Sequence, residues 1–105
     1  MSFLLTMLVF AALCLVQNAV FTAVSRSRNS GDVMHHWKWS IASNGIWYVN
    51  QLFIWGMIWD AATKGTWWQI AVAGVIYVAS TSAGSVWMMA RMLKTETGKR
   101  KVGAR

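Results

Sequence analysis

Three long stretches of this chain, residues 3–24, 39–59 and 66–90, contain no charged side chain. A helix rises ~1.5 Å per residue, so ~20 residues cross a hydrocarbon core ~30 Å thick, and each stretch is long enough. In a chain of 105 residues only short connections and a tail remain. The expected fold is an all-α membrane protein with three transmembrane helices in a single domain, residues 1–105. Helices are predicted over 3–24, 39–59 and 66–93, loops over 25–38 and 60–65, and a basic tail over 94–105.

Composition agrees with a lipid solvent. Charged residues make up 12% of the chain, against about 25% in a soluble domain. Proline is absent, which leaves the helices without programmed kinks. Ten Lys and Arg against three acidic residues give a formal charge of +7. In a soluble chain that balance suggests nucleic acid. Here the charges lie outside the apolar stretches, where the positive-inside rule accounts for them, so no nucleic-acid partner is expected. No Lys or Arg precedes the first stretch, and it exceeds the ~7–15 residues of a leader's apolar core. It is expected to be a retained helix.

Orientation follows from where the positive charges fall. The first loop holds Arg26, Arg28 and Lys38. The tail region holds Arg91, Lys94, Lys99, Arg100, Lys101 and Arg105, whereas the second loop holds Lys64 alone. Three spans put the first loop and the tail on one side, so the N-terminus is expected outside and the C-terminus in the cytoplasm. The short second loop predicts that helices two and three form an antiparallel hairpin. Tryptophan rings prefer the headgroup level. Trp37, Trp39 and Trp87 suit the cytoplasmic interface and Trp59, Trp67 and Trp68 the outer one, while Trp47 and Trp55 fall inside the second span and need another account.

Polar residues inside the spans carry the functional signal. At ~100° per residue, Ser40, Ser43, Asn44, Trp47, Tyr48, Asn50 and Gln51 share one side of helix two. Helix one carries Ala11, Cys14, Asn18 and Thr22 at three- or four-residue spacing, with Gln17 beside them. An amide in hydrocarbon is costly unless it finds a partner. Gln17, Asn18, Asn44, Asn50 and Gln51 therefore either join helices, at ~0.6–2 kcal/mol per interhelical bond, or line water. So many amides make a homo-oligomer the expectation. Helix three carries a run of small residues, 79–85, with Gly74 before it. Ala79 and Ala83, and Ser80 and Gly84, fit the small-xxx-small pattern that lets helices approach closely.

Other chemistry is not encoded. His35 and His36 lack the three or four convergent ligands that a metal site needs, and the single Cys14 reads as a small buried hydrophobe. No catalytic arrangement or phosphate loop is visible, so no cofactor, metal or enzyme activity is expected. Asp60 stands at a helix end as a lone acid. Within the spans there is no ionisable residue of the kind that coupled transporters use, and the tail reads as a solvated topology anchor.

This layout, of about a hundred residues with three spans, N-terminus out, short loops and a basic cytoplasmic tail, resembles the class I holins of bacteriophages. The resemblance covers the whole chain as a plan, rests on no signature motif and transfers no residue role. It implies a protein that accumulates in the bacterial inner membrane and opens lesions through which a cell-wall-degrading enzyme escapes. In that reading helices associate through small residues and amides, and above a critical density the faces around Asn18, Asn44, Asn50 and Gln51 turn to water. Two other functions fit the same residues: a small oligomeric ion channel or pore, and an accessory subunit that binds another membrane protein.

Overall fold

The computed structural model describes residues 2–95. The tail expected over 94–105 lies, beyond Thr95, outside the described residues. Three helices and no strand are present among them: α1 (Phe3–Ser27), α2 (Val33–Lys64) and α3 (Trp67–Thr95).

The helix ends lie where backbone caps occur, not where charge begins. Ser2 starts α1, its Oγ accepting from the Leu5 amide at 3.1 Å. Asp32 starts α2 by accepting from the His35 amide at 3.1 Å, one of the orphan donors that every helix start exposes. The loop expected over 25–38 thus shrinks to residues 28–32. Within it Ser30 donates from Oγ to the Ser27 carbonyl at 2.7 Å and accepts from the Asp32 amide at 3.1 Å. At the other end α2 runs to Lys64, through most of the loop expected over 60–65. Gly65, at φ 70, terminates it, and the Thr66 amide turns back to the Ala61 carbonyl at 3.1 Å. An apolar stretch limits what can lie in hydrocarbon, but it does not limit where a helix may continue.

The helices run up, down and up. Phe3 meets Trp68, with ring centroids 5.2 Å apart, at one end of α1, and Thr22 meets Ser85 near the other, so α1 and α3 are parallel. Ser27 meets His36 and Phe10 stacks on Phe53 at 5.9 Å, so α2 is antiparallel to α1. Both neighbours pack chiefly on α1, and α2 touches α3 far less. The hairpin expected between helices two and three is therefore not where most of the packing lies; α1 is the hub.

Gly84 explains why α3 lies so close to α1. A Cβ there would meet the Leu15 carbonyl group, 2.9 Å from its carbon, and would lie 3.1 Å from Leu15 Cα. Only glycine lets the backbones approach so closely. Around this crossing lie two small clusters, one of Met7, Phe10, Cys14 and Ala73 and one of Ala19, Ala23, Met88 and Met92. The large aliphatic and aromatic side chains mostly face outward: Leu4 is 71% exposed, Val75 71% and Trp59 74%. Beside Met7, Phe10, Met88 and Met92 the interior is filled by small and polar groups, an unusual balance for a chain folded in water.

Two helices, α1 and α3, are long and apolar enough to cross a membrane. The longest, α2, is less apolar, because Ser40, Ser43, Asn44, Asn50 and Gln51 interrupt its central turns.

Candidate functional site: the amides of the helix bundle

The structure separates the five amides into two groups. Gln17 and Asn50 face each other between α1 and α2, 2% and 0% exposed. Asn50 donates from Nδ2 to Gln17 Oε1 at 2.7 Å and, more weakly, to Cys14 Sγ at 3.6 Å. The Asn50 Oδ1 atom is buried without a partner among the described residues. The contact therefore satisfies the donor and leaves an acceptor short, a state that costs about 1–3 kcal/mol when buried. Gln17 and Asn50 act as a clasp between two helices.

The second group has no such partner. Asn44 is exposed on α2, Gln51 is half-buried on the same helix, and Asn18 is half-buried on α1. None of the three side chains makes a hydrogen bond to the rest of the described chain. The polar side expected for helix two is thus divided: Ser43 and Asn50 are buried toward α1, Asn44 stands at the rim of the cleft between α1 and α2, and Tyr48 and Gln51 turn away from α1. Sequence periodicity places these residues within one broad arc and cannot say where a neighbour cuts that arc.

Asn44 borders an open cleft of about 460 Å³ between α1 and α2, lined also by Phe21, Ser25, Arg28, His36 and Ser40. Near its mouth His36 links the helices. Its Nδ1 lies 2.7 Å from Ser27 Oγ, and its Nε2 lies 3.4 Å from Ser40 Oγ. Ser27 Oγ also donates to the Val24 carbonyl at 2.8 Å, which leaves it to accept from a His36 tautomer protonated on Nδ1. In the sequence His36 stands out only as a candidate metal ligand. The serine nine residues earlier becomes its partner because the short loop folds α2 back on α1.

The small residues of α3 are divided as well. Gly84 is buried against α1 and Ser80 is half-buried, while Gly74, Ala79 and Ala83 are exposed. A Cβ on Gly74 would touch nothing within 4 Å. Two further α1–α3 contacts were not predicted as pairs: Thr22 Oγ1 to Ser85 Oγ at 2.8 Å and Arg26 Nη1 to Met89 Sδ at 3.3 Å.

Six tryptophans fall near the two ends of the bundle. Trp37 and Trp39 lie in the first turns of α2, and Trp87 lies late in α3 with Arg91 Cζ 5.6 Å from its ring centroid. Trp59, Trp67 and Trp68 lie around the α2–α3 connection. That end also carries an exposed ion pair between Lys64 and Asp60, at 3.0 Å. Arg26, Arg28, Lys38, Arg91 and Lys94 collect at the opposite end. Among the described residues no three His, Cys, Asp or Glu side chains come together.

Compared with protein-family models, with curated proteins and with solved structures, the chain matches none.

Proposed function

We propose that this chain is a three-span protein of the bacterial inner membrane that assembles with its own copies and opens lesions or pores, as the class I holins do. One observation carries the reading: the side chains of Asn18, Asn44 and Gln51 lie along the central turns of α1 and α2 without a hydrogen-bond partner among the described residues. In hydrocarbon each unsatisfied amide costs several kcal/mol. Only two environments remove that cost, another protein surface or water, and an assembly that opens offers each in turn.

The outward face supports lipid as the solvent. Leu4, Leu8, Val75, Val78 and Val86 are exposed on the two apolar helices, an arrangement that water would penalise. The up-down-up course brings α2 across with them as the third span, closing a hairpin with α3 through the connection at Gly65 and Thr66. The basic end then lies in the cytoplasm, with the N-terminus and the Asp60–Lys64 pair outside. Tryptophans at both ends act as interface anchors.

Induced expression in bacteria that also hold a cytoplasmic endolysin tests this. Abrupt lysis at a reproducible time is the expected result. Steady leakage of small ions without escape of the enzyme would replace the lesion by a narrow channel. Harmless accumulation would overturn the reading in favour of an accessory subunit.

A further inference from the structure

The face of α2 turned away from α1 carries a second pattern. Ile41, Asn44, Tyr48, Gln51, Trp55 and Ile58 follow one another at alternating intervals of three and four. That 3.5-residue period marks the seam of a left-handed helix pair. Ile41, Asn44, Tyr48 and Trp55 are exposed, and Gln51 and Ile58 are half-buried. At ~100° per residue the centre of this seam lies about 140° from the row Ser43, Asn50 and Phe53 that meets α1, with Asn44 at the rim of the α1–α2 cleft and Ile58 at the rim of a pocket shared with Phe10. The amides of Asn44 and Gln51 and the hydroxyl of Tyr48 have no partner among the described residues.

We propose that this seam is where a second copy of the chain docks, α2 against α2 and parallel. The inference rests on the reading above that α2 spans the bilayer. Copies of one chain insert with one orientation, because the same charges direct each. A two-fold axis along the membrane normal therefore sets each residue at the depth of its own counterpart. An amide suits that geometry because it carries both donor and acceptor, so Asn44 pairs with Asn44 and Gln51 with Gln51. Polar residues at such positions also set register and parallel alignment. Trp55, too deep for a headgroup anchor, becomes a packing residue of this contact. The outer face of α3, with Ala71, Val75 and Ala79, carries one exposed hydroxyl, Ser82, and no amide; a serine hydroxyl can turn back to a carbonyl of its own helix, so lipid can cover this face.

Single cysteines introduced in membranes by Ile41→Cys, Tyr48→Cys and Trp55→Cys test the seam without touching the amides. The parent chain, whose Cys14 is fully buried, sets the background. Iodine oxidation is expected to give disulfide-linked dimers at all three sites. Ile46→Cys, on the side toward α1, and Val78→Cys, on the outer face of α3, are expected to stay monomeric. Adding Asn44→Leu and Gln51→Leu is expected to weaken dimerisation of fluorescently tagged copies about tenfold or more. Dimers strongest at Val78→Cys, or absent from every α2 site, overturn the proposal. Lysis without cross-linking at the seam sinks this interface alone. Cross-linking at the seam in cells that never lyse upholds it and sinks the lesion reading.

Discussion

Gly84 and Gly74 show how one residue type takes two roles ten positions apart. Gly84 lies against the Leu15 backbone, where a methyl group has no room, whereas Gly74 faces open space. Gly84→Ala is expected to force α1 and α3 apart at a cost of about 1–3 kcal/mol, the usual range for overpacking. Gly74→Ala is expected to be neutral or to gain up to ~1 kcal/mol from helix propensity. Reversible unfolding of the two variants in mixed micelles compares them directly, and equal effects would remove the distinction. The spacing of small residues in α3 was legible beforehand. Which of them meets a backbone was not, since that depends on the azimuth at which α1 arrives.

At the scale of elements, α2 is the helix on which the functional reading depends. Its caps at Asp32 and Gly65 make it longer than its uncharged stretch and, at ~1.5 Å per residue, longer than a ~30 Å core is thick. Its central turns carry amides that lower its apolarity, and thiols placed at its two ends test the proposed crossing. Asn29→Cys and Thr63→Cys place thiols at exposed positions just before and near the end of α2. An impermeant thiol reagent added to intact cells is expected to label Thr63→Cys and spare Asn29→Cys until the membrane is breached. Labelling of both from outside would show that α2 lies along one face. The uncharged stretches revealed three helices because the free energy of charge in hydrocarbon is a local property. Their true ends escaped that reading because capping hydrogen bonds ignore hydropathy: α2 starts at Val33 and not at Trp39.

For the whole molecule, the amides decide between a closed bundle and one built to assemble. Gln17 and Asn50 are spent within the protomer, so replacing either damages the fold and reports nothing about assembly. The side-chain amides of Asn44 and Gln51 have no partner among the described residues. Asn44→Leu with Gln51→Leu is therefore expected to leave insertion intact and to delay or abolish lysis in the endolysin assay, through the loss of amide bonds worth ~0.6–2 kcal/mol each. Normal timing in that double variant would separate the outward amides from lesion formation.

By themselves the residues determined that the chain is helical and that its first and third helices are apolar enough to cross a membrane. They also determined that polar groups would be concentrated in the first two helices. Those properties are sums over neighbouring positions, and adding turn by turn recovers them. Only the tertiary structure decided that Asn50 takes Gln17 while Asn44 and Gln51 face outward, that α1 is the hub, and that His36 closes on Ser27. A helical period gives each residue an angle about its own axis. It does not contain the direction from which the next helix comes, and that direction selects which donors are satisfied.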